Sequence, residues 1–157
     1  MYKKKKSDKP IEWSQEKVER YFLWLLQRKE YTEKELKTKA ALKKIPTDMF
    51  EAVLVKIQSF NYQNDERCAQ SIVRSKSQQW GPLKIKAKLR EKGLSDEISE
   101  EVDWTENAMK VLRKKFHPDL SRDEKWALSK KLMAKGFSYD TIREAFSRLG
   151  AEVEAED

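Results

Sequence analysis

Apolar residues recur along the chain at intervals of three and four, which is the spacing of one face of a helix. The segment KIKAKLREKG shows this at Ile85 and Leu89, and the segment LSKKLMAKG shows it at Leu128 and Leu132. Glycine and proline number only four each, and no Asn-Gly or Asp-Gly pair joins two alternating apolar runs. Tight hairpin turns depend on such pairs. The pattern therefore predicts an all-α fold.

One pattern occurs twice in the second half of the chain, at 83–98 and at 126–142. Two apolar residues four apart are followed four positions later by a glycine, and then by an apolar residue and a serine. The apolar pair lies on one helix face, the glycine ends the helix with left-handed backbone, and the serine caps the next helix. The aligned pairs are Ile85 and Leu128, Leu89 and Leu132, Gly93 and Gly136, Leu94 and Phe137, and Ser95 and Ser138.

A degenerate third copy lies at 35–50, where Lys44 replaces the glycine and Pro46 replaces the serine. An amphipathic helix precedes each copy, so each unit is expected to hold three helices. Stacked units bury faces that no unit buries alone. We predict an elongated array of three tandem three-helix repeats. The expected segments are a disordered basic tail at 1–10, repeats at 11–60, 61–103 and 104–149, and an acidic tail at 150–157.

The charge of the chain is concentrated in its middle. The net charge is +7, and the stretch from Arg67 to Lys92 holds eight basic residues against one acidic residue, Glu91. A basic segment between flanks of mixed charge suggests an anionic partner. The candidate binding residues are Arg67, Arg74, Lys76, Lys84, Lys86, Lys88, Arg90 and Lys92.

Five tryptophans raise the alternative of base stacking. Large aromatic side chains contribute most to core packing, so we expect packing for Trp13, Trp24, Trp104 and Trp126. Trp80 is the exception, because it stands beside Gly81-Pro82 and the basic helix, and we treat it as a candidate aromatic contact.

The stretch VLRKKFHPDLSRDE contains the only histidine, His117, followed by Pro118 and Asp119. An HPD tripeptide between two helices resembles the signature of J-domain co-chaperones. The upstream sequence GLSDEISEEVDW instead reads as the closing helix of the second repeat, and 126–142 belongs to the third. We interpret the tripeptide as a linker in which Pro118 ends one helix, and keep a J-domain-like co-chaperone as the less favoured alternative.

No enzyme site emerges from the sequence. The single cysteine, Cys68, excludes an internal disulfide and a multi-thiolate zinc site, and there is no glycine-rich phosphate loop or metal-ligand spacing. We expect neither catalysis nor a cofactor. The longest apolar cluster spans 21–26, and no signal peptide is recognisable. A cytoplasmic protein without membrane contact is expected.

One long segment carries a family resemblance. FNYQNDERCAQSIVRSKSQQWGPLKIKAKLREKGLSDEI resembles the central signature of the RecX family, the bacterial regulators of RecA recombinase. EYTEKELKTKAALKK resembles the first repeat of that family, and KKLMAKGFSYDTIREAF resembles its last. The sequence departs from the family pattern at Lys44 and Asn61, where glycine is usual, at Gln63, where an apolar residue is usual, and at Cys68, where an aromatic is usual.

The resemblance implies a non-catalytic protein, and a monomer, that binds in the groove of the RecA–single-stranded DNA filament. It implies modulation, mainly inhibition, of ATP hydrolysis, strand exchange and SOS coprotease activity. It also implies binding of single- and double-stranded DNA through the basic surface. A general DNA-binding helical scaffold is the main alternative, because the basic segment alone would give that activity.

Overall fold

The computed structural model describes residues 9–156, so Lys3 to Lys6 of the expected basic tail lie outside the described residues. Within that range the chain forms eight helices and no strand. The prediction of an all-α fold is confirmed. The helices are α1 (Gln15–Leu26), α2 (Glu33–Leu42), α3 (Thr47–Ser59), α4 (Asp65–Lys76), α5 (Pro82–Glu91), α6 (Trp104–Arg113), α7 (Arg122–Ala134) and α8 (Tyr139–Glu156).

The first of two compact units ends at Asn64 and contains α1, α2 and α3. Its core is centred on Phe22, whose ring meets the edge of the Phe50 ring at a centroid distance of 5.7 Å. A reciprocal cap begins α2: Thr32 accepts a hydrogen bond from the Glu35 amide, and the Glu35 carboxylate accepts one from the Thr32 amide. Such a cap satisfies two amides that the first helical turn leaves unpaired.

The second unit begins at Asp65 and contains α4 to α8. It has two apolar clusters, so the second and third repeats keep separate cores within one unit. Ile85 and Leu89 of α5 are fully buried in one cluster, together with Cys68 and Val73 of α4. The other cluster joins α6, α7 and α8, and it contains Ala108, Leu112, Leu132, Phe137 and Ile142.

The same turn follows the second helix of every repeat. Lys44, Gly93 and Gly136 all have positive φ, at 56°, 74° and 93°. In each turn the following apolar residue donates a hydrogen bond back into the helix, as Leu94 does to the Leu89 carbonyl at 2.9 Å. This is the Schellman arrangement, in which a left-handed residue lets the chain reverse. The repeat predicted from the sequence is therefore present in the backbone, with lysine in the glycine position of the first copy.

The departures from the family pattern are accommodated locally. Asn61 takes left-handed backbone with φ 60°, which asparagine tolerates better than most residues. Gln63 is buried but satisfied, because its amide nitrogen donates to the Tyr31 carbonyl at 3.1 Å and its oxygen accepts from Gln58 at 2.9 Å. Cys68 is buried near the start of α4.

The second repeat differs from the expectation in one place, because residues 94–103 form no helix. Leu94, Ile98 and Val102 still pack against the α4–α5 core. A helix there would place acids four apart on one face, and such like-charge pairs destabilise helices. The acids of the segment are Asp96, Glu97, Glu100, Glu101 and Asp103.

Two segment ends also differ from the expectation. Residues 150–156, expected as an acidic tail, continue α8. Glu152 in this stretch accepts a hydrogen bond from Arg113 of α6 at 3.1 Å. The hydrogen bond from Arg113 to Glu106, and secondarily the one to Glu152, raises the pKa of Arg113. The apolar spacing from Ala69 to Trp80 predicts a helix over that whole stretch, but α4 ends at Lys76, so Trp80 lies in the loop after it.

Candidate functional site

The loop between α4 and α5 holds Trp80 in a fixed position. The Lys76 carbonyl, at the last residue of α4, accepts hydrogen bonds from the amides of Gln79 at 3.0 Å and Trp80 at 2.8 Å. The next residue, Gly81, donates its amide proton to the Lys135 carbonyl at 2.8 Å. Backbone hydrogen bonds therefore secure the loop immediately before and after the tryptophan side chain.

Two lysines converge on the Trp80 ring from the helices on either side. The Nζ atom of Lys76 lies 4.8 Å from the ring centroid, and the Nζ atom of Lys84, in the first turn of α5, lies 4.3 Å from it. Both distances are well inside the range of cation–π attraction. The ring itself is half-buried against the Ile85–Leu89 cluster. We call Lys76, Trp80 and Lys84 the lysine–tryptophan site.

The other predicted basic residues fall into three groups. Lys88 and Arg90 are engaged with carboxylates, Lys88 with Glu91 at 3.6 Å and Arg90 with Asp96 at 2.7 Å. Arg67 and Lys92 are half-buried and interact with neighbouring groups. Arg74 is exposed and Lys86 is half-buried. The structure thus brings the predicted residues onto adjacent helices but leaves them in different environments.

The loop between α4 and α5 is supported by a close backbone contact between Gly81 and Gly136. The amide of Leu83 donates to the Gly136 carbonyl at 3.1 Å, beside the bond from Gly81 to Lys135. A Cβ on Gly81 would overlap the backbone of Gly136 and Phe137, and a Cβ on Gly136 would overlap the backbone of Lys84. Sequence reasoning recognised Gly136 as a helix-ending residue but missed this contact, because it joins residues far apart in the chain.

Two of the expected tryptophan packing roles are wrong. Trp24 and Trp126 are each 50% exposed, with Arg28 and Lys130 respectively placed over their rings. Both lie on amphipathic helices at positions that face outward, so a bulky apolar residue alone did not identify the core. Trp13 and Trp104 are half-buried against their clusters, as expected.

The HPD tripeptide lies in the loop between α6 and α7. His117 and Asp119 are exposed there, and α7 begins after Ser121, whose side chain caps the Glu124 amide. This placement agrees with the linker interpretation. Cys68, by contrast, is buried in the α4–α5 cluster. Across residues 9–156, no group of three or more His, Cys, Asp or Glu side chains is placed to hold a metal ion.

These features define a class of protein: an all-α helical-repeat protein whose second repeat presents a basic, tryptophan-containing surface. The family model described as "RecX, second three-helix domain" matches residues 64–102, the segment that carries this surface. Regulatory protein RecX of Haemophilus ducreyi is 35% identical over 136 residues, covering 82% of this chain and 87% of that protein. Regulatory protein RecX of Legionella pneumophila is 31% identical over 81% of this chain and 91% of its own length. The chain belongs to the RecX family.

Solved structures agree with this assignment. The crystal structure of RecX from Lactobacillus salivarius superposes with a TM-score of 0.76 at 27% identity, covering 86% of this chain and 96% of that one. A second crystal structure, of regulatory protein RecX, shares the fold with a TM-score of 0.69 at 23% identity, covering 85% and 73%. Among the described residues, no helix is both long and apolar enough to span a membrane.

Proposed function

We propose that the chain is a non-catalytic regulator, mainly an inhibitor, of RecA. It binds in the groove of the RecA–single-stranded DNA filament and thereby restrains ATP hydrolysis, strand exchange and SOS coprotease activity. The observation that supports this proposal is the basic surface on α4 and α5, which lies within the segment that matches the RecX family model.

The chemistry of this surface suits a nucleoprotein partner. Lysine and arginine side chains that neutralise phosphates give affinity without reading the base sequence. Carboxylates on a protein groove attract the same cations. Arg74 and Lys84 are exposed on adjacent helices, so both kinds of anion have access to them.

The test is RecA's DNA-dependent ATPase, measured with increasing amounts of the purified chain. We expect micromolar protein to slow ATP hydrolysis. The variant Arg74→Glu/Lys84→Glu should require at least about tenfold more protein, which corresponds to a loss of about 1.4 kcal/mol of binding free energy. Both side chains are exposed, so their reversal leaves the core intact.

A matched control has the same change of charge elsewhere in the second unit. Lys110→Glu/Lys114→Glu alters two exposed lysines on and just after α6, and it should inhibit like the unsubstituted chain. If the unsubstituted chain neither slows ATP hydrolysis nor binds filaments, the proposal is wrong. If both double variants lose activity equally, net charge rather than the α4–α5 surface is responsible.

A general DNA-binding scaffold is the second candidate, and the clustering of cations on α4 and α5 supports it equally. It would bind naked single- and double-stranded DNA with a steep salt dependence, whether or not RecA is present. Comparing binding to naked strands with binding to RecA-coated strands separates the two candidates. Preference for the coated strand supports the RecA regulator.

A further inference from the structure

The lysine–tryptophan site leaves little of the Trp80 ring for a base. Two ammonium groups lie within 5 Å of one ring centroid, at 4.3 Å and 4.8 Å, and part of the ring packs on the α4–α5 core. A nucleobase that stacked on this ring would displace at least one of the lysines. The arrangement is therefore unlike an open stacking platform, whose aromatic face is available to bases.

The two ammonium groups share one aromatic ring. Each lies within 5 Å of the Trp80 ring centroid, so they are less than about 10 Å apart, and like charges in that range repel. The electron-rich ring partly offsets this repulsion. A negative charge beside each ammonium group would offset the repulsion further and gain attraction from each lysine. The site thus favours a ligand that carries negative charge at more than one point.

We propose that Lys76 and Lys84 form a two-lysine clamp for the phosphodiester backbone of single-stranded DNA, and that Trp80 is the positioning residue that holds them. This inference rests on the proposed function, because it specifies which part of the RecA-bound strand the basic surface contacts. In this proposal Lys76 and Lys84 bind the phosphates of the strand, and the Trp80 ring does not stack on its bases.

Two cations on one support favour a strand that carries several phosphates over a single protein carboxylate. Arginine binds carboxylates and phosphates alike through its planar fork, whereas lysine is a compact point charge that binds a phosphate without a fixed geometry. Arg90, on the same helix as Lys84, is already paired with Asp96 at 2.7 Å. A flexible strand presents a regular series of phosphates, which two lysines on a common support can follow.

The support is rigid, which lowers the entropy that binding would otherwise cost. Lys76 ends α4, Lys84 lies in the first turn of α5, and the loop between them is hydrogen-bonded to the Lys76 and Lys135 carbonyls. The amides of Gly81 and Leu83 at the start of α5 are already bonded to the α7–α8 turn. Phosphate binding at this site therefore depends on the lysine side chains more than on the amides of the helix N-terminus.

Two probes separate phosphate binding from base stacking. One is a fluorescein-labelled oligothymidylate, and the other is an abasic oligomer of the same length with the same number of phosphates. We expect Lys76→Gln/Lys84→Gln to weaken binding to both probes by the same factor. Each phosphate contact contributes about 0.7 to the salt slope for single strands, so the slope should fall by about 1.4 and affinity at 0.1 M salt by about 25-fold.

Substitutions of Trp80 test its positioning role. Trp80→Phe keeps an aromatic face for the lysines and should retain most of the affinity, whereas Trp80→Leu should weaken binding to both probes equally. The control Lys110→Gln/Lys114→Gln removes two exposed lysines elsewhere and should change neither the affinity nor the slope by as much. Circular dichroism of each variant establishes that it is folded. If Trp80→Leu does not fold, the lysine variants still test the clamp.

Three results would overturn the clamp. The first is a wild-type affinity for the abasic probe far below that for oligothymidylate, with the difference between the probes abolished in Trp80→Leu, which would show base stacking. The second is an unchanged salt slope in Lys76→Gln/Lys84→Gln. The third is a loss confined to RecA-coated strands, which would identify an acidic protein surface as the ligand. If the clamp behaves as expected but the chain leaves RecA ATPase unaffected, only the proposed function fails.

Discussion

Replacing Gly136 with alanine should destabilise the second unit more than the same change at Gly93 or Gly150. Gly136 has φ 93°, and left-handed backbone costs a residue with a Cβ about 1–2 kcal/mol. The new methyl group would also overlap the backbone of Lys84. Separation of the two segments breaks the bonds from Gly81 to Lys135 and from Leu83 to Gly136, each worth about 1 kcal/mol. The expected loss is about 3–4 kcal/mol.

Two other glycines provide the comparison. Gly93 has φ 74° at the equivalent turn of the second repeat and is exposed, so Gly93→Ala should cost about 1–2 kcal/mol through backbone strain. Gly150 lies within α8, and a Cβ there meets nothing within 4 Å. Gly150→Ala should stabilise the chain by up to about 1 kcal/mol, because glycine is a poor helix former.

Urea unfolding followed by circular dichroism at about 222 nm measures these differences, with the slope of the transition checked for constancy. Hydrogen exchange of the Gly81 and Leu83 amides gives a local measurement, since both should lose protection in Gly136→Ala and keep it in Gly93→Ala. If Gly136→Ala costs no more than Gly93→Ala while both amides stay protected, the two turns do not meet as the backbone hydrogen bonds indicate.

Further predictions concern a cap, a phenol and the histidine. Ser138→Ala should cost about 1 kcal/mol in urea unfolding, because the Ser138 hydroxyl accepts from the Thr141 amide at 3.2 Å, whereas Ser95→Ala should cost less because no helix follows Ser95. Burial, and secondarily Tyr31, raises the pKa of Tyr21 above 10.0. Because the folded state holds this proton more tightly than the unfolded state, the free energy of unfolding should fall as the pH rises above that value. Urea titrations from about pH 9 to about pH 11 should show this fall, and the fall should be smaller in Tyr21→Phe. His117→Ala should leave inhibition of RecA ATPase unchanged, because His117 is exposed in the α6–α7 linker, and the unsubstituted chain should not stimulate a heat-shock chaperone ATPase. Stimulation of that ATPase, abolished in His117→Ala, would revive the co-chaperone alternative.

The sequence predicted the repeat because the repeat is local. Ile85, Leu89 and Gly93 stand within nine residues of one another, and their spacing alone specifies a helix face and its end. The lysine substitution at Lys44 did not obscure this pattern, since the surrounding apolar residues kept their spacing. The prediction of a helix over residues 94–103 was wrong, because the apolar spacing favoured a helix there while repulsion between the repeated carboxylates opposed it.

The candidate site was predicted as a set of residues but not as a geometry. Counting charges from Arg67 to Lys92 located the surface, yet it could not show that two of the lysines meet at Trp80. That meeting depends on a loop, and the loop is secured by a turn more than fifty residues further along. Contacts between distant segments of this kind leave no periodic signal in a single sequence.

The acidic residues after α5 affect which ligands the basic surface can bind. Arg90 pairs with Asp96 at 2.7 Å, but the side chains are 59% and 43% exposed, and exposed pairs of this kind contribute at most about 1 kcal/mol. A single weak anion gains too little from Arg90 to separate it from Asp96. A phosphodiester strand that is already bound at Lys76 and Lys84 has lost its translational freedom. Its next phosphate therefore binds as an intramolecular step and competes effectively with Asp96 for Arg90. If the clamp binds a strand as proposed, the acidic segment favours long polyanions over isolated anions, because a ligand bound at several points displaces Asp96 more readily than a single anion does.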